Sequence, residues 1–338
     1  MLRGDKFVHY QICGSTQLFR CFLQEQQFIL LENINMKNRK ELTGVIPIIP
    51  TPFTESEEID EDSLKSLVDF AVNTGVEAAC LPAYASEFYK LSDEEKLRVV
   101  KVAVEHSAGR MQIIAQSNHP SLKVAIKLAQ ANVEAGADVV SLAVPRIFNL
   151  PEDSLKEYLS GFLQSIPDTP VLIQDFNPGG ASISVSFIKE LMEEHSNFKY
   201  LKLEEPLCAP KFKDIISTTD GKVGLFEGWG GLYMLELIPI GITGVMPGLA
   251  VSDILQKVFL LRKNGDHAKA FDLFEKVMPQ IFFSLQNMEL FHYAEKELLI
   301  ARGVLKNSIA RKAAYKPDAS TAAYIKELNQ RILNLIEE

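Results

Sequence analysis

The chain has 338 residues, 47% of them apolar, with 44 acidic against 35 basic side chains and a net charge of −9. That is enough apolar material for one large α/β domain or two smaller ones, and an acidic balance without a lysine or arginine block excludes a nucleic-acid footprint and electrostatic attachment to an anionic membrane. No apolar run approaches the roughly 18 residues of a membrane span, and Cys13, Cys21, Cys80 and Cys208 are scattered without a CxxC pair or zinc-type spacing. The cysteine pattern is that of a reducing compartment, so a cytoplasmic protein is expected.

Residues 1–40 differ from the rest. Up to Met36 they are rich in Phe, Gln and Cys and lack a helical or strand period, and Arg20 and Glu25-Gln26-Gln27 interrupt the apolar stretches that a signal peptide would need. The segment is expected to be a nonessential extension, with translation starting at Met36; a short docking arm is the other reading.

From residue 44 short apolar or β-branched runs alternate with amphipathic helical patterns. The predicted strands are 44–50, 77–82, 110–115, 138–143, 170–175, 198–203, 222–226 and 242–246. Helical periods fall between and after them at 61–74, 92–107, 120–135, 152–165, 184–195, 209–218, 230–239 and 251–263. Ser92-Asp93-Glu94-Glu95 and Pro151-Glu152-Asp153 place caps and acids in first turns, and Gly75 and Gly136 stand where helices should end. Eight β-then-α units predict a closed (β/α)8 TIM barrel over residues 41–264. An open doubly wound sheet is the runner-up, weakened because Thr51-Pro52-Phe53 and no GxGxxG follows the first strand. Three more helical patterns, near 266–285, 288–305 and 318–336, make residues 265–338 a C-terminal helical region packed on the barrel, with Lys316-Pro317 separating the last two.

Lys202 is the residue with the most chemical content. In 198–203 strand alternation puts Phe198, Tyr200 and Lys202 on one face and Leu201 and Leu203 on the other. A lysine ending an apolar inward row is costly to desolvate; in such a pocket its pKa falls and the free amine can attack a carbonyl to form a Schiff base. A strand-end lysine snorkelling into solvent is the bland reading. Function in these barrels sits at the C-terminal strand ends, where Lys202 ends the sixth strand, and this favours the catalytic amine.

The order and spacing of several fragments now identify a resemblance. They are Gly44-Val45-Ile46-Pro47 with Thr51-Pro52-Phe53, Ser86-Glu87 with Leu91-Ser92-Asp93-Glu94-Glu95-Lys96, Leu201-Lys202, Phe226-Glu227-Gly228, and Gly241-Ile242-Thr243-Gly244-Val245-Met246. From residue 42 onward the chain resembles the dihydrodipicolinate synthase / N-acetylneuraminate lyase family. The resemblance implies a (β/α)8 barrel with a C-terminal three-helix extension and a homo-oligomer, tetramer or dimer. It also implies a catalytic Lys202 that forms an imine with pyruvate or another small-molecule 2-oxo acid, with no cofactor. Gly228 and Met246 match positions whose backbone lies near the bound acid, which would put Trp229, the only tryptophan, beside the pocket or in plain packing.

Several family features are missing. The carboxylate-binding Gly-Thr-Thr-Gly-Glu is Ala83-Tyr84-Ala85-Ser86-Glu87 here. Tyr84, Ala85 and Ser86 then stand as substrate-binding candidates, Tyr84 being equally readable as a loop aromatic, and Glu87 as a structural hydrogen-bond partner. The Tyr-Asn-x-Pro end of the fifth strand is Gln174-Asp175-Phe176-Asn177-Pro178, so Gln174 takes the place of a proton-relay tyrosine although an amide cannot carry a proton near neutral pH. The arginine expected next is replaced by Gly179-Gly180-Ala181, and the Tyr-Tyr after the fourth strand by Arg146-Ile147-Phe148. Glu204, two residues beyond Lys202, could be counter-charge, base or a rim salt bridge; Asp175 and Tyr84 are further proton-carrying candidates.

The expected activity is that of a Schiff-base lyase, an aldolase or hydro-lyase acting on a pyruvate-type or sugar-derived 2-oxo acid, and not the standard synthase reaction. The alternative is a non-catalytic relative that binds a small ligand in the barrel mouth. A metal site is not expected, because His106, His119 and His195 share no ligand spacing and read as surface residues.

Overall fold

In the computed structural model the described residues are 40–146, 150–176 and 183–337. The sequence expectations for the extension before residue 40, for Ile147 and Phe148, and for Asn177 to Ala181 lie outside them. Residues Leu42–Glu338 form one compact unit.

Eight parallel strands, β1 (Gly44–Val45), β2 (Ala78–Leu81), β3 (Gln112–Gln116), β4 (Val139–Ala143), β5 (Val171–Phe176), β6 (Phe198–Glu204), β7 (Gly224–Glu227) and β8 (Gly244–Val245), pair in the order β1-β8-β7-β6-β5-β4-β3-β2. The ring closes just beyond β1, where Ile48 bridges both Cys80 and Gly248 and the Cys80 N–H donates to the Pro47 carbonyl at 2.9 Å. All eight predicted strands are present, and the (β/α)8 barrel stands over the open sheet.

The strands are apolar on both faces, as a sheet enclosed by helices requires. Ile46, Ile48, Ala78, Cys80, Ile114, Leu172, Phe226 and Met246 fill the barrel, while Leu81, Ile113, Val171, Ile173, Leu201, Leu203 and Leu225 face the helix layer. One placement differs from simple alternation. Phe198 packs in the helix layer although Tyr200 lies against the barrel interior. The cause is an irregularity between β5 and β6: Val171 pairs with Phe198, but the next residue, Leu172, pairs with Tyr200. The exposed Lys199 is the extra residue, and it resets the phase of the strand so that Tyr200, Lys202 and Glu204 point inward.

The helices follow local chemistry. At the start of Asp93–Ser107 the Ser92 hydroxyl accepts from the Glu95 N–H and the Glu95 carboxylate takes the Ser92 N–H, a complete capping box. Gly75 and Gly136 follow two C-caps with φ of +78° and +92°, a backbone that favours glycine. The helix expected over 230–239 is shorter, Met234–Leu237 continued by the single turn Ile238–Ile240. Its expected first turn is instead bent at Gly230 and Gly231, both at positive φ, and Glu227 ties it down by accepting the N–H groups of Trp229 and Gly231 at 2.9 and 2.8 Å. The C-terminal helices are His267–Ser284, Met288–Ala301 and Ala319–Glu337.

Candidate active site

A cleft enclosing about 480 Å³ of unfilled space, its open mouth included, lies where β5, β6, β7 and β8 end. Lys202 and Glu204 project into it from β6 and Gln174 from β5, the register setting Gln174 directly beside Lys202. Lys202 is 7% exposed, and its Nζ lies 2.9 Å from Glu204 Oε1. The same oxygen accepts from Gln174 Nε2 at 2.7 Å, and Gln174 Oε1 accepts from Gln116 Nε2 at 2.7 Å. Three strands thus contribute to one buried line, Gln116–Gln174–Glu204–Lys202, that holds the carboxylate against the ammonium. The Gln116 Oε1 at its end is buried without a partner among the described residues.

Gly228 makes room for this arrangement. A Cβ at that position would lie 2.3 Å from Glu204 Cγ and 2.5 Å from Oε1, so any side chain there would drive the carboxylate off the lysine. Tyr84 lines the cleft opposite, its ring 4.9 Å from Phe88 and 5.6 Å from Phe176. Burial, reinforced by the nearby Glu204 charge, raises the Tyr84 phenol above its ordinary pKa, so it keeps its proton at neutral pH and can donate it. Cys80, inside the barrel, is pushed up to about 12 by burial against the opposing pull of Lys202, and is therefore an inert thiol.

Seven of the nine sequence-selected residues border the cleft, Gly228 and Met246 among them. Lys202, Glu204, Gln174, Tyr84 and Ala85 line the cleft. Ser86 and Asp175, also expected against the substrate, are not among the lining residues. The Ser86 hydroxyl donates to the Ile49 carbonyl at 2.6 Å, inside the packed loop. Asp175 alternates to the outer face of β5, where it accepts the Ile183 N–H at 2.8 Å and pairs with Arg146. Trp229 leans on Tyr233 at a ring distance of 6.4 Å, outside the cleft lining. Of the histidines expected at the surface, His195 is buried, at the C-cap of Val185–Glu194.

Other site residues escaped the sequence reading. Gln116 sits one residue past the predicted third strand, and its inward phase was the available signal. Leu285, Met288 and Phe291, from the end of one C-terminal helix and the start of the next, also line the cleft, although that region read as an appendage. Behind the Tyr84–Ala85 loop lies a further cluster: Glu87 Oε1 takes Lys296 Nζ at 2.7 Å and Oε2 takes Lys90 Nζ at 3.1 Å and the Arg311 N–H at 3.0 Å. Glu87 is therefore a structural partner, as expected.

Comparison with known proteins agrees with this geometry. The model of the dihydrodipicolinate synthetase family matches residues 41–328. The chain belongs to the dihydrodipicolinate synthetase family. Members of this family act as lyases and dehydratases, and this chain is an enzyme of that kind. Among its relatives it is 26% identical over 297 residues to the L-2-keto-3-deoxyarabonate dehydratase of Azospirillum brasilense, covering 87% of this chain and 95% of that one. It is 29% identical over 241 residues to the 4-hydroxy-tetrahydrodipicolinate synthase of Methanocaldococcus jannaschii, covering 70% and 81%. The crystal structure of dihydrodipicolinate synthase from Rhodopseudomonas palustris superposes with a TM-score of 0.80 at 25% identity, over 86% of this chain and 97% of that one. A family member from Escherichia coli K12, solved in complex with pyruvate, shares the fold with a TM-score of 0.79 at 21% identity, over 86% and 99%.

Proposed function

We propose that this family member forms a Schiff base between Lys202 and the C2 carbonyl of a 2-oxo acid and uses Glu204 to move protons at the neighbouring carbons. The observation that carries this reading is the buried Lys202–Glu204 contact of 2.9 Å at the cleft. Glu204 can take the proton that Lys202 must lose before its amine attacks. Addition to C2 and loss of one water give the iminium, which withdraws electrons from C3. For a dehydration, Glu204 removes a C3 proton to form the enamine; the C4 hydroxyl then leaves as water, and hydrolysis frees the product and Lys202. For an aldol cleavage, the carboxylate instead takes the C4 hydroxyl proton as the C3–C4 bond breaks. The nearby keto-deoxy-sugar dehydratase supports the first course.

In this reading Gln174 is a positioning residue that aims Glu204, and Tyr84 is the other proton donor. The substrate carboxylate lies against the Tyr84–Ala85 backbone, with Gly228 and Met246 bordering the imine. The same reading keeps the homo-oligomer, supported by the exposed Phe271 and Phe282 on His267–Ser284, and the cytoplasmic location, supported by the reduced, buried Cys80 and Cys208. Borohydride reduction in the presence of pyruvate and a set of longer 2-oxo acids tests the mechanism. A mass increment on the Lys202 peptide, absent in Lys202→Ala, is the expected result. No adduct with any 2-oxo acid, together with unchanged ligand binding in Lys202→Ala, would leave the non-catalytic binding protein as the correct reading.

A further inference from the structure

The polar side chains of the described cleft come from β5 and β6 alone, apart from the Tyr84 hydroxyl. The remaining lining is Ile48, Phe176, Met246, Pro247, Leu285, Met288 and Phe291 with alanines and glycines. Leu285 closes down on the β7 loop, its Cδ1 2.9 Å from where a Cβ on Gly230 would stand. These polar groups serve the imine and the carbons beside it, not the distal tail. Lys202 is consumed by the imine, and Glu204 and Gln174 hold one another at 2.7 Å. Arg146, three residues past β4, is paired with Asp175 and does not line the cleft. Among the described residues, a polyhydroxylated tail would bring several hydroxyls against aliphatic and aromatic walls with one phenol to receive them, and a second carboxylate would meet no further cation. Buried hydroxyls and carboxylates without partners are penalised, whereas an alkyl or aryl group gains by leaving water there.

We propose, building on the Schiff-base reading above, that the substrate is a 2-oxo acid whose distal group is apolar, alkyl or aryl, and that Leu285, Met288 and Phe291 determine this specificity. The C-terminal helices then supply the selective wall, and the barrel supplies the chemistry.

Condensation in the reverse direction tests this with simple probes. Pyruvate on Lys202 gives the enamine; its C3 forms the new bond to an aldehyde carbon, the aldehyde oxygen takes up a proton, and water releases the 4-hydroxy-2-oxo acid. The kcat/KM values for 3-methylbutanal and benzaldehyde are compared with those for glyceraldehyde and glyoxylate. The expected result is a preference of at least about tenfold for the apolar aldehydes. Met288→Gln and Leu285→Asn are expected to lower the ratio of apolar to polyol aldehyde about tenfold. Because the ratio is taken within one preparation, it is independent of how much of a variant folds. A preference for glyceraldehyde or glyoxylate, or a ratio unchanged in both variants, overturns the apolar tail, as does the absence of any condensation with the apolar aldehydes. Borohydride trapping of pyruvate separates the two readings: an adduct alongside any of those outcomes sinks the specificity alone, and no adduct sinks the imine itself.

Discussion

Two of the lysine–glutamate pairs buried among the described residues, Lys202–Glu204 at 2.9 Å and Lys296–Glu87 at 2.7 Å, are arranged for opposite ends. Lys296, 1% exposed, also donates to the Ile309 carbonyl at 2.8 Å and lies 4.8 Å from the centre of the Phe53 ring. Its Glu87 partner is in turn bound by Lys90 and the Arg311 backbone, and Arg311 forks onto Glu95 at 2.7 and 2.8 Å. Every direction around that ammonium is filled. Lys202 faces a cleft, and its charge is matched by one carboxylate that a short amide line holds in place. On the proposed reading, the difference between the structural lysine and the reactive one is not burial or pairing, which both share. It is the open side.

The contrast can be broken at either pair. Glu204→Gln keeps the shape and hydrogen-bonding reach of the side chain but removes the proton acceptor. It is expected to lower kcat by about 10²–10⁴-fold while borohydride still traps pyruvate on Lys202, only more slowly; undiminished turnover would assign the base elsewhere. Lys296→Met removes the nearer ammonium from Glu87, leaving Lys90 at 3.1 Å to carry its charge, and should cost about 1–3 kcal/mol in denaturant melts. Adding Glu87→Gln should recover a good part of that loss, and no recovery would mean the pair is not the unit described.

Gly228→Ala sharpens the comparison from the cleft side. Its Cβ would overlap Glu204 at 2.3 Å and push the carboxylate off Lys202, with a loss of about 10²-fold in kcat against a modest change in melting temperature. The smallest effect lies in the structural cluster. His292, 3.0 Å from the Tyr89 hydroxyl, is lowered to about 4, chiefly by burial, with the Glu87 and Glu289 charges opposing and Lys296 and Lys90 assisting. A depressed histidine leaves the unfolded chain holding the extra proton below pH 6.5. Stability is therefore full above that value and falls as pH drops toward 4, with a slope of up to roughly 1.4 kcal/mol per pH unit. His292→Gln should flatten that slope in melts taken from pH 7 to 4.5; an unchanged slope would place the titration in another group.

Strand and helix periods carried the barrel because both faces of each strand and one stripe of each helix are buried in a regular layer. Local caps such as Ser92 and Gly136 fixed boundaries to within a residue or two. The limits have equally local causes. Alternation misplaced Phe198 because one extra residue, Lys199, resets the strand phase, and nothing in a six-residue run announces that. Lys202 and Glu204 were legible from their spacing, whereas Gln116 became visible only when the barrel brought its side chain to Gln174 past the intervening β4. Ser86 and Asp175 carry suitable chemistry at suitable positions, but their polar atoms are spent on Ile49 and on Ile183 and Arg146, contacts far too distant or irregular to read along the chain. The cleft wall from Leu285, Met288 and Phe291 was hidden in an ordinary amphipathic helical pattern.

That wall has a consequence during synthesis. A nascent chain that has emerged through β8 already holds Lys202, Glu204 and the amide line, yet it lacks the three side chains that enclose them and the Lys296 that anchors the Tyr84 loop from behind. The proposed nucleophile is thus made early and housed late, and the pocket is completed by the helices that leave the ribosome after the barrel.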